Sequence, residues 1–121
     1  EGTLLKSVMQ LLQAHGFQVF RRNTGAVRAT YTTKDGAARE RFVRFSKPGA
    51  ADIYGWQLLT GRHIEVEVKR LGQKPSDVQL EWLRHAKEDG CIAFWCDSME
   101  AAIKGLKDGY TWDRWVKRKG S

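Results

Sequence analysis

Residues 63–69 form the segment that most restricts how this chain can fold. Successive side chains of a β-strand point to opposite faces of its sheet, so this segment separates its apolar from its charged residues. The apolar face carries Ile64, Val66 and Val68, and the charged face carries Glu65, Glu67 and Lys69. Burial of the apolar face would fix the strand in a core and make the charged side chains project together. The segment taken alone also fits an amphipathic edge strand whose charges are solvated.

Helical and strand-like segments alternate around this strand. Apolar residues at helical spacing predict a first helix over residues 4–12, and Ser76 and Ser98 are typical N-caps of two later helices. Further strands are predicted over residues 17–22, 27–33, 39–45, 53–59 and 92–95. Glycine-containing turns join four of the strands into two hairpins, and the second hairpin begins directly after Asp52. This order predicts an α/β sandwich in which helices flank a small mixed β-sheet.

Length and charge restrict the kind of protein further. The 121 residues predict a single domain that ends in a basic, tryptophan-containing tail over residues 108–121. The formal net charge of +7 favours a polyanionic partner such as nucleic acid. The sequence shows no apolar run long enough to span a bilayer and no signal peptide. It therefore predicts a cytoplasmic protein without a membrane-spanning segment.

Three side chains on the second predicted hairpin indicate a chemistry. Asp52 precedes the first strand of that hairpin, and Glu67 and Lys69 lie on the second strand. Two carboxylates can hold a hard divalent cation beside a phosphate, and an ammonium group can orient the attacking water and balance charge. An acid followed by an acid-x-lysine triplet on the next strand is thus the outline of a metal-dependent nuclease.

A larger set of short motifs resembles one nuclease family. In chain order, these motifs are Arg22-Asn23-Thr24-Gly25-Ala26, Gly49-Ala50-Ala51-Asp52, Glu67-Val68-Lys69, and Ser76-x-x-Gln79 followed by Gly90. Together they resemble the VRR-NUC (virus-type replication-repair nuclease) domain of the PD-(D/E)xK nuclease superfamily. The resemblance implies a restriction-endonuclease-like sandwich fold and Mg²⁺- or Mn²⁺-dependent cleavage of phosphodiester bonds. The resemblance spans about residues 3–107, which it implies are the domain core, and it implies a stand-alone, phage-type member of the family. Such small members are similar to homodimeric resolvases of four-way (Holliday) junctions.

The resemblance also implies roles for individual residues. Asp52 and Glu67 would bind the metal through their carboxylates, and the backbone carbonyl of Val68 would add a ligand. Lys69 would position the nucleophilic water. Gln79 matches a family position on the helix behind the site and would steady this constellation.

The chain departs from the family pattern at its start. Family members usually place a glutamate on the first helix, about where Thr3 stands in this sequence. Glu1 is the nearest acid and is the candidate for this further metal ligand. The alternatives are that Glu1 is a solvated terminal residue and that this ligand is missing.

Other polar residues suggest where the partner binds. Arg22, Asn23, Thr24 and Arg28 surround a predicted turn whose backbone and guanidinium groups are suited to grip phosphate oxygens, and Lys47 leads toward Asp52. The alternative is a solvated basic edge. Two further side chains of the 63–69 strand receive structural interpretations: His63 as a structural histidine and Glu65 as an ordinary strand charge.

These observations predict a metal-dependent, structure-specific DNA endonuclease, with a four-way junction as the expected substrate. The expected cofactor is Mg²⁺ or Mn²⁺, and the expected assembly is a homodimer in the cytoplasm of a bacterium or a phage-infected host. One alternative is a catalytically inert nucleic-acid-binding module that kept the fold and the positive surface. Another is a duplex nickase or flap nuclease.

Overall fold

A computed structural model describes residues 2–23, 26–44 and 46–120, with the side chains of residues 26–27, 42–44 and 110–120 left out. Within those residues the chain forms three helices and six strands. In chain order these are α1 (Gly2–Ala14), β1 (Phe17–Arg21), β2 (Ala26–Thr32), β3 (Ala38–Arg44), β4 (Ile53–Gln57), β5 (His63–Val68), α2 (Asp77–Glu88), β6 (Ile92–Cys96) and α3 (Met99–Gly120). The predicted order of helices and strands is confirmed.

Four of the strands form one mixed sheet in the order β1-β4-β5-β6. Strand β4 is antiparallel to both β1 and β5, and β6 runs parallel to β5 after the α2 crossover. The hydrophobic core lies between one face of this sheet and the helices α1 and α3. Helix α2 packs on the other face, over β5 and β6. The predicted α/β sandwich with a small mixed sheet flanked by helices is therefore confirmed.

Strand β5 lies in the interior of the sheet, between β4 and β6. Its aliphatic side chains Ile64, Val66 and Val68 are completely buried in the core. On its other face Glu65 and Glu67 are each only 2% exposed, because α2 covers them. The edge-strand interpretation of this segment is therefore wrong, because both glutamates of its charged face are buried.

Two features lie outside the sandwich core. Strands β2 and β3 pair only with each other, as a separate two-stranded sheet among the described strands. Helix α3 continues to Gly120, so the segment predicted as a tail continues the backbone of that helix. Among the described helices, none has the length and apolar composition needed to cross a bilayer.

The pairing of β1 with β4 depends on Gly55. A Cβ atom at this residue would lie 1.9 Å from the backbone oxygen of Gln18, so Gly55→Ala should force β1 away from β4. We expect a loss of roughly 2 kcal/mol or more in the free energy of unfolding, measured by urea denaturation. Gly2→Ala is the control, because a Cβ atom there would meet nothing within 4 Å. Equal stability of both variants would contradict this strand register.

Candidate active site

Asp52 lies directly before β4, and it accepts hydrogen bonds from two main-chain N–H groups of other segments. Its backbone oxygen accepts a hydrogen bond from the Arg22 N–H at 2.6 Å, just beyond β1. Its side-chain Oδ2 accepts one from the Val68 N–H at 3.0 Å, on β5. These bonds place the Asp52 carboxylate beside Glu67, on the sheet face that α2 partly covers.

The loop that leads to Asp52 packs against α2 through Gly49. This glycine has a φ of 84°, a conformation that residues with a side chain rarely adopt. A Cβ atom there would also lie 2.5 Å from the side chain and 2.6 Å from the backbone oxygen of Val78, in the first turn of α2. The predicted motif residue Gly49 therefore lets the Asp52 loop approach the helix that carries Gln79.

Glu67 has two polar partners for one of its oxygens and none for the other. Its Oε1 accepts a hydrogen bond from Gln79 Nε2 at 3.2 Å and lies 3.7 Å from Lys69 Nζ. Its Oε2 is buried and accepts no hydrogen bond from a donor among the described residues, and the Asp52 carboxylate lies close enough to share a proton with Glu67. Burial, together with the neighbouring Asp52 carboxylate, raises the pKa of Glu67 to about 8, although Lys69 opposes this shift. Without a cation, this carboxyl therefore holds a proton near neutral pH.

Gln79 is oriented by the N-terminal cap of α2. The Ser76 hydroxyl accepts a hydrogen bond from the Gln79 N–H, and Gln79 Oε1 accepts one from the Ser76 N–H at 2.9 Å. With its oxygen engaged in this capping box, the amide presents its Nε2 donor to Glu67. The predicted helix cap is present, and the same Gln79 side chain that completes it also donates to Glu67.

Glu65 lies at the centre of a second network on the same face of β5. Both of its oxygens accept hydrogen bonds from the Arg22 guanidinium, with Nη2 to Oε2 at 2.9 Å. Trp82 Nε1 donates to Oε1 at 2.8 Å, and His63 Nε2 contacts Oε2. The Arg22 guanidinium also lies 4.5 Å from the Tyr54 ring centroid and 5.4 Å from that of Trp82. The interpretation of Glu65 as an ordinary strand charge is wrong.

This network determines the charge of Glu65. Burial alone would raise its pKa, but hydrogen bonds from Arg22, Trp82 and His63 bring the pKa below its usual value. Glu65 is therefore ionised and compensated, whereas Glu67, two residues further along the strand, is buried and only partly compensated. The environment of Glu65 is therefore that of a structural acid, whereas the environment of Glu67 is one in which a cation could replace the missing partner.

Arg22 also links this network to Asp52. Its Nη1 donates to the backbone oxygen of Ala51 at 2.9 Å, and its own N–H donates to Asp52. The guanidinium predicted to grip phosphate is thus engaged inside the protein, as the counter-ion of Glu65. Its predicted contact with DNA stays a prediction.

The remaining predicted residues are distributed around the site. Val68 is completely buried, and its N–H is used by Asp52. Asn23, Arg28 and Lys47 are exposed, and Arg28 lies 3.7 Å from Glu40 on the β2–β3 hairpin. The predicted metal ligand Glu1 and the predicted DNA contact Thr24 lie outside the described residues.

The donor set suits a hard divalent cation. Asp52 and Glu67 bring two carboxylates together, and the unpartnered Oε2 of Glu67 is a buried oxygen that a cation would satisfy. Over residues 2–23, 26–44 and 46–120, no group of three or more histidine, cysteine or acidic residues is placed to hold a metal. Mg²⁺ commonly takes one or two carboxylates and completes its shell with waters and substrate phosphates. The residues present therefore fit Mg²⁺ or Mn²⁺.

Comparison with known proteins adds no identification. The chain matches no model of a protein family, and no significant similarity to a curated protein is found. The VRR-NUC resemblance therefore stays a prediction from the sequence motifs, and the chemistry of the site has to be argued from its own geometry.

The two buried glutamates should respond in opposite ways to removal of their charge. The pKa of Glu67 is raised from 4.5 to about 8, so its stabilising contribution is complete below about pH 4.5 and is lost as pH rises through about 8. The metal-free wild type should therefore lose stability over that range relative to Glu67→Gln. Glu65→Gln should instead cost roughly 2 kcal/mol or more at pH 8, because it leaves Arg22 without its counter-ion.

Urea denaturation in EDTA at a series of pH values measures both effects. Added Mg²⁺ at pH 8 should raise the unfolding temperature of the wild type and leave that of Glu67→Gln unchanged. If both glutamine variants lost the same stability at pH 8, the proposed division of roles between the two acids would be wrong.

Proposed function

We propose that this protein is a metal-dependent endonuclease that hydrolyses phosphodiester bonds in DNA. The observation that carries the proposal is the unpartnered, buried Oε2 of Glu67, located beside the Asp52 carboxylate and close to the Lys69 ammonium. A purely structural acid would have its oxygens satisfied, as Glu65 does two residues away.

The side chains of the site divide the work of hydrolysis. A bound divalent cation supplies Lewis acidity toward the phosphate and lowers the pKa of its water. Asp52 and Glu67 would hold that cation, and Gln79 keeps the Glu67 carboxylate in place through Oε1. Lys69 Nζ lies 3.7 Å from the same carboxylate, where it can orient a water toward phosphorus. The water oxygen would form the new P–O bond and release a proton to solvent, while the P–O bond to the departing ester oxygen breaks and that oxygen takes a proton from solvent.

The charge of the chain supports DNA as the substrate. The net charge of +7 favours a polyanion, although the catalytic pair itself is acidic. The resemblance to VRR-NUC nucleases supports a branched DNA, with the four-way junction as the first candidate. The proposed activity requires access to DNA, which in a bacterium or a phage-infected host lies in the cytoplasm.

We also propose a homodimer, because symmetrical resolution of a four-way junction requires two cuts and one chain carries one site. Helix α2 covers β5 and β6, and it leaves aromatic residues on β1 and β4 partly open to solvent. Phe20 and Trp56 are 39% and 42% exposed, and their ring centroids lie 5.6 Å apart. Leu58 continues this apolar stripe. Self-packing of the stripe about a two-fold axis would bury it and fix the distance between two active sites.

Removal of the site chemistry should abolish cleavage without abolishing binding. We expect Asp52→Asn, Glu67→Gln and Lys69→Ala each to reduce the cleavage rate by at least about a hundredfold, because each removes cation binding or water orientation. Labelled four-way junction, flap, single-stranded and linear duplex DNA, incubated with Mg²⁺ or Mn²⁺, measure the rate and the substrate preference. EDTA should stop all cleavage.

The control is Glu88→Gln, which makes the same chemical change on the exposed side of α2. It should cleave like the wild type. Binding in Ca²⁺, measured by fluorescence anisotropy, should stay within about twofold for the three site variants. Cleavage at wild-type rates by both Asp52→Asn and Glu67→Gln would overturn the site, and a wild type that binds without cleaving would favour the inert binding module.

The dimer is tested by multi-angle light scattering at micromolar protein, with and without a four-way junction. Trp56→Glu should convert the dimer to a monomer, because it places a charge in the centre of the apolar stripe. Ile103→Glu introduces the same charge at a partly exposed residue on α3, on the opposite side of the sheet, and should leave the dimer intact. A wild type that is monomeric in both conditions would leave a nickase or flap nuclease as the better description.

A further inference from the structure

The β2–β3 hairpin stands apart from the sandwich. Its two strands pair with each other over seven residue positions, from Ala26 opposite Arg44 to Thr32 opposite Ala38. Among the described elements, no other helix or strand packs extensively against either strand. Seven residues in β conformation span about 23 Å, so the hairpin is a long arm relative to this small domain.

The arm is basic, and its charges are unevenly divided between its two faces. Residues 26–44 contain five basic and two acidic side chains. The strand register places Tyr31, Arg39 and Arg41 on one face, all exposed, with the Arg41 guanidinium 5.8 Å from the Tyr31 ring centroid. Glu40 lies on the opposite face with Arg28, and Asp35 is engaged in the turn by the Ala37 N–H at 3.1 Å. The described part of the Tyr31 face therefore carries positive charge and no acid.

Both ends of the arm are close in sequence to residues that position or form the catalytic pair. Strand β2 begins four residues after Arg22, whose N–H is bonded to the Asp52 backbone oxygen. Strand β3 ends eight residues before Asp52 itself. The arm is therefore joined in sequence, on both sides, to the segments that position the Asp52 carboxylate.

We propose that the β2–β3 hairpin is a DNA-binding arm that lies along a duplex segment of the substrate, with its Arg39 and Arg41 face against the phosphates. This inference rests on the proposed nuclease function and names how its substrate is held. A two-stranded ribbon has the dimensions to follow the major groove of B-DNA, which is about 12 Å wide. Arginine side chains on such a ribbon contact phosphates without reading sequence, so the arm increases affinity and orients the duplex at Asp52 and Glu67.

The test compares Arg39→Ala/Arg41→Ala with Lys104→Ala/Lys107→Ala. The second pair removes the same charge from exposed residues of α3, on the sheet face opposite the site. Anisotropy titrations of fluorescent duplex and four-way junction in Ca²⁺, over a series of salt concentrations, give the affinity and its salt dependence. The arginine variant should bind about tenfold more weakly, and its slope of log K against log salt should be shallower by about two. The lysine variant should match the wild type in both.

A third variant, Arg39→Lys/Arg41→Lys, keeps the charge and should restore most of the salt slope, and unfolding temperatures verify that all variants fold. Wild-type affinity and slope in the alanine variant of the arm would overturn the proposal, whether or not the protein cleaves DNA. Conversely, a weakened arm variant in a protein that never cleaves any DNA would retain the arm and reject the nuclease function. If the lysine control weakened binding equally, the proposal of a DNA-binding arm would also be overturned, because the effect would then be one of overall charge.

Discussion

The structure depends on the partners of two carboxylates, Glu65 and Glu67, which are buried two residues apart on β5. Removing a carboxylate from water costs several kcal/mol unless partners replace its hydration. Glu65 receives full compensation from the Arg22 guanidinium, the Trp82 indole and His63. Glu67 receives one amide hydrogen bond and a more distant ammonium, and its second oxygen is left without a partner. That unequal treatment makes one acid an anchor of the fold and leaves the other with an oxygen that a cation would satisfy.

The anchor and the site are mechanically connected. Arg22 pairs with Glu65 on β5 and donates to Ala51, the residue before Asp52. Its guanidinium lies between the Tyr54 and Trp82 rings, so β1, β4, β5 and α2 meet around one buried ion pair. A buried pair of this kind adds little net stability compared with apolar packing, but it fixes geometry, because each partner is costly to leave unpaired. The ion pair thereby fixes the main chain of Ala51 and Asp52 relative to β5, the strand that carries Glu67.

Local sequence patterns were sufficient to predict the helices and strands. The roles of Glu65 and Arg22 depend on long-range packing, which local patterns do not reveal. Strand parity placed Glu65 and Glu67 on one face, and the Ser76-x-x-Gln79 spacing predicted a helix cap; the structure shows both features. The burial of Glu65 depends on the position of β5 inside the sheet and on Trp82, which follows 17 residues later. Arg22 precedes Glu65 by 43 residues, so neither strand order nor this pairing is visible in a local pattern. An arginine close to a predicted turn therefore favoured a phosphate contact, whereas tertiary packing made it a counter-ion.

The basic hairpin, joined in sequence to the segment that carries Asp52, explains why the proposed substrate is a polymer. Sites for small molecules are usually concave and enclose most of their ligand. Here α2 covers Glu65 and Glu67, and the basic hairpin lies in the chain between β1 and Asp52. A rigid, extended polyanion suits this arrangement, because one of its phosphates would complete the shell of a cation bound at Asp52 and Glu67 while its remaining length contacts surfaces far from the site. The arm would then supply affinity at a distance from the chemistry, and the cation would hold a single phosphate at Asp52 and Glu67.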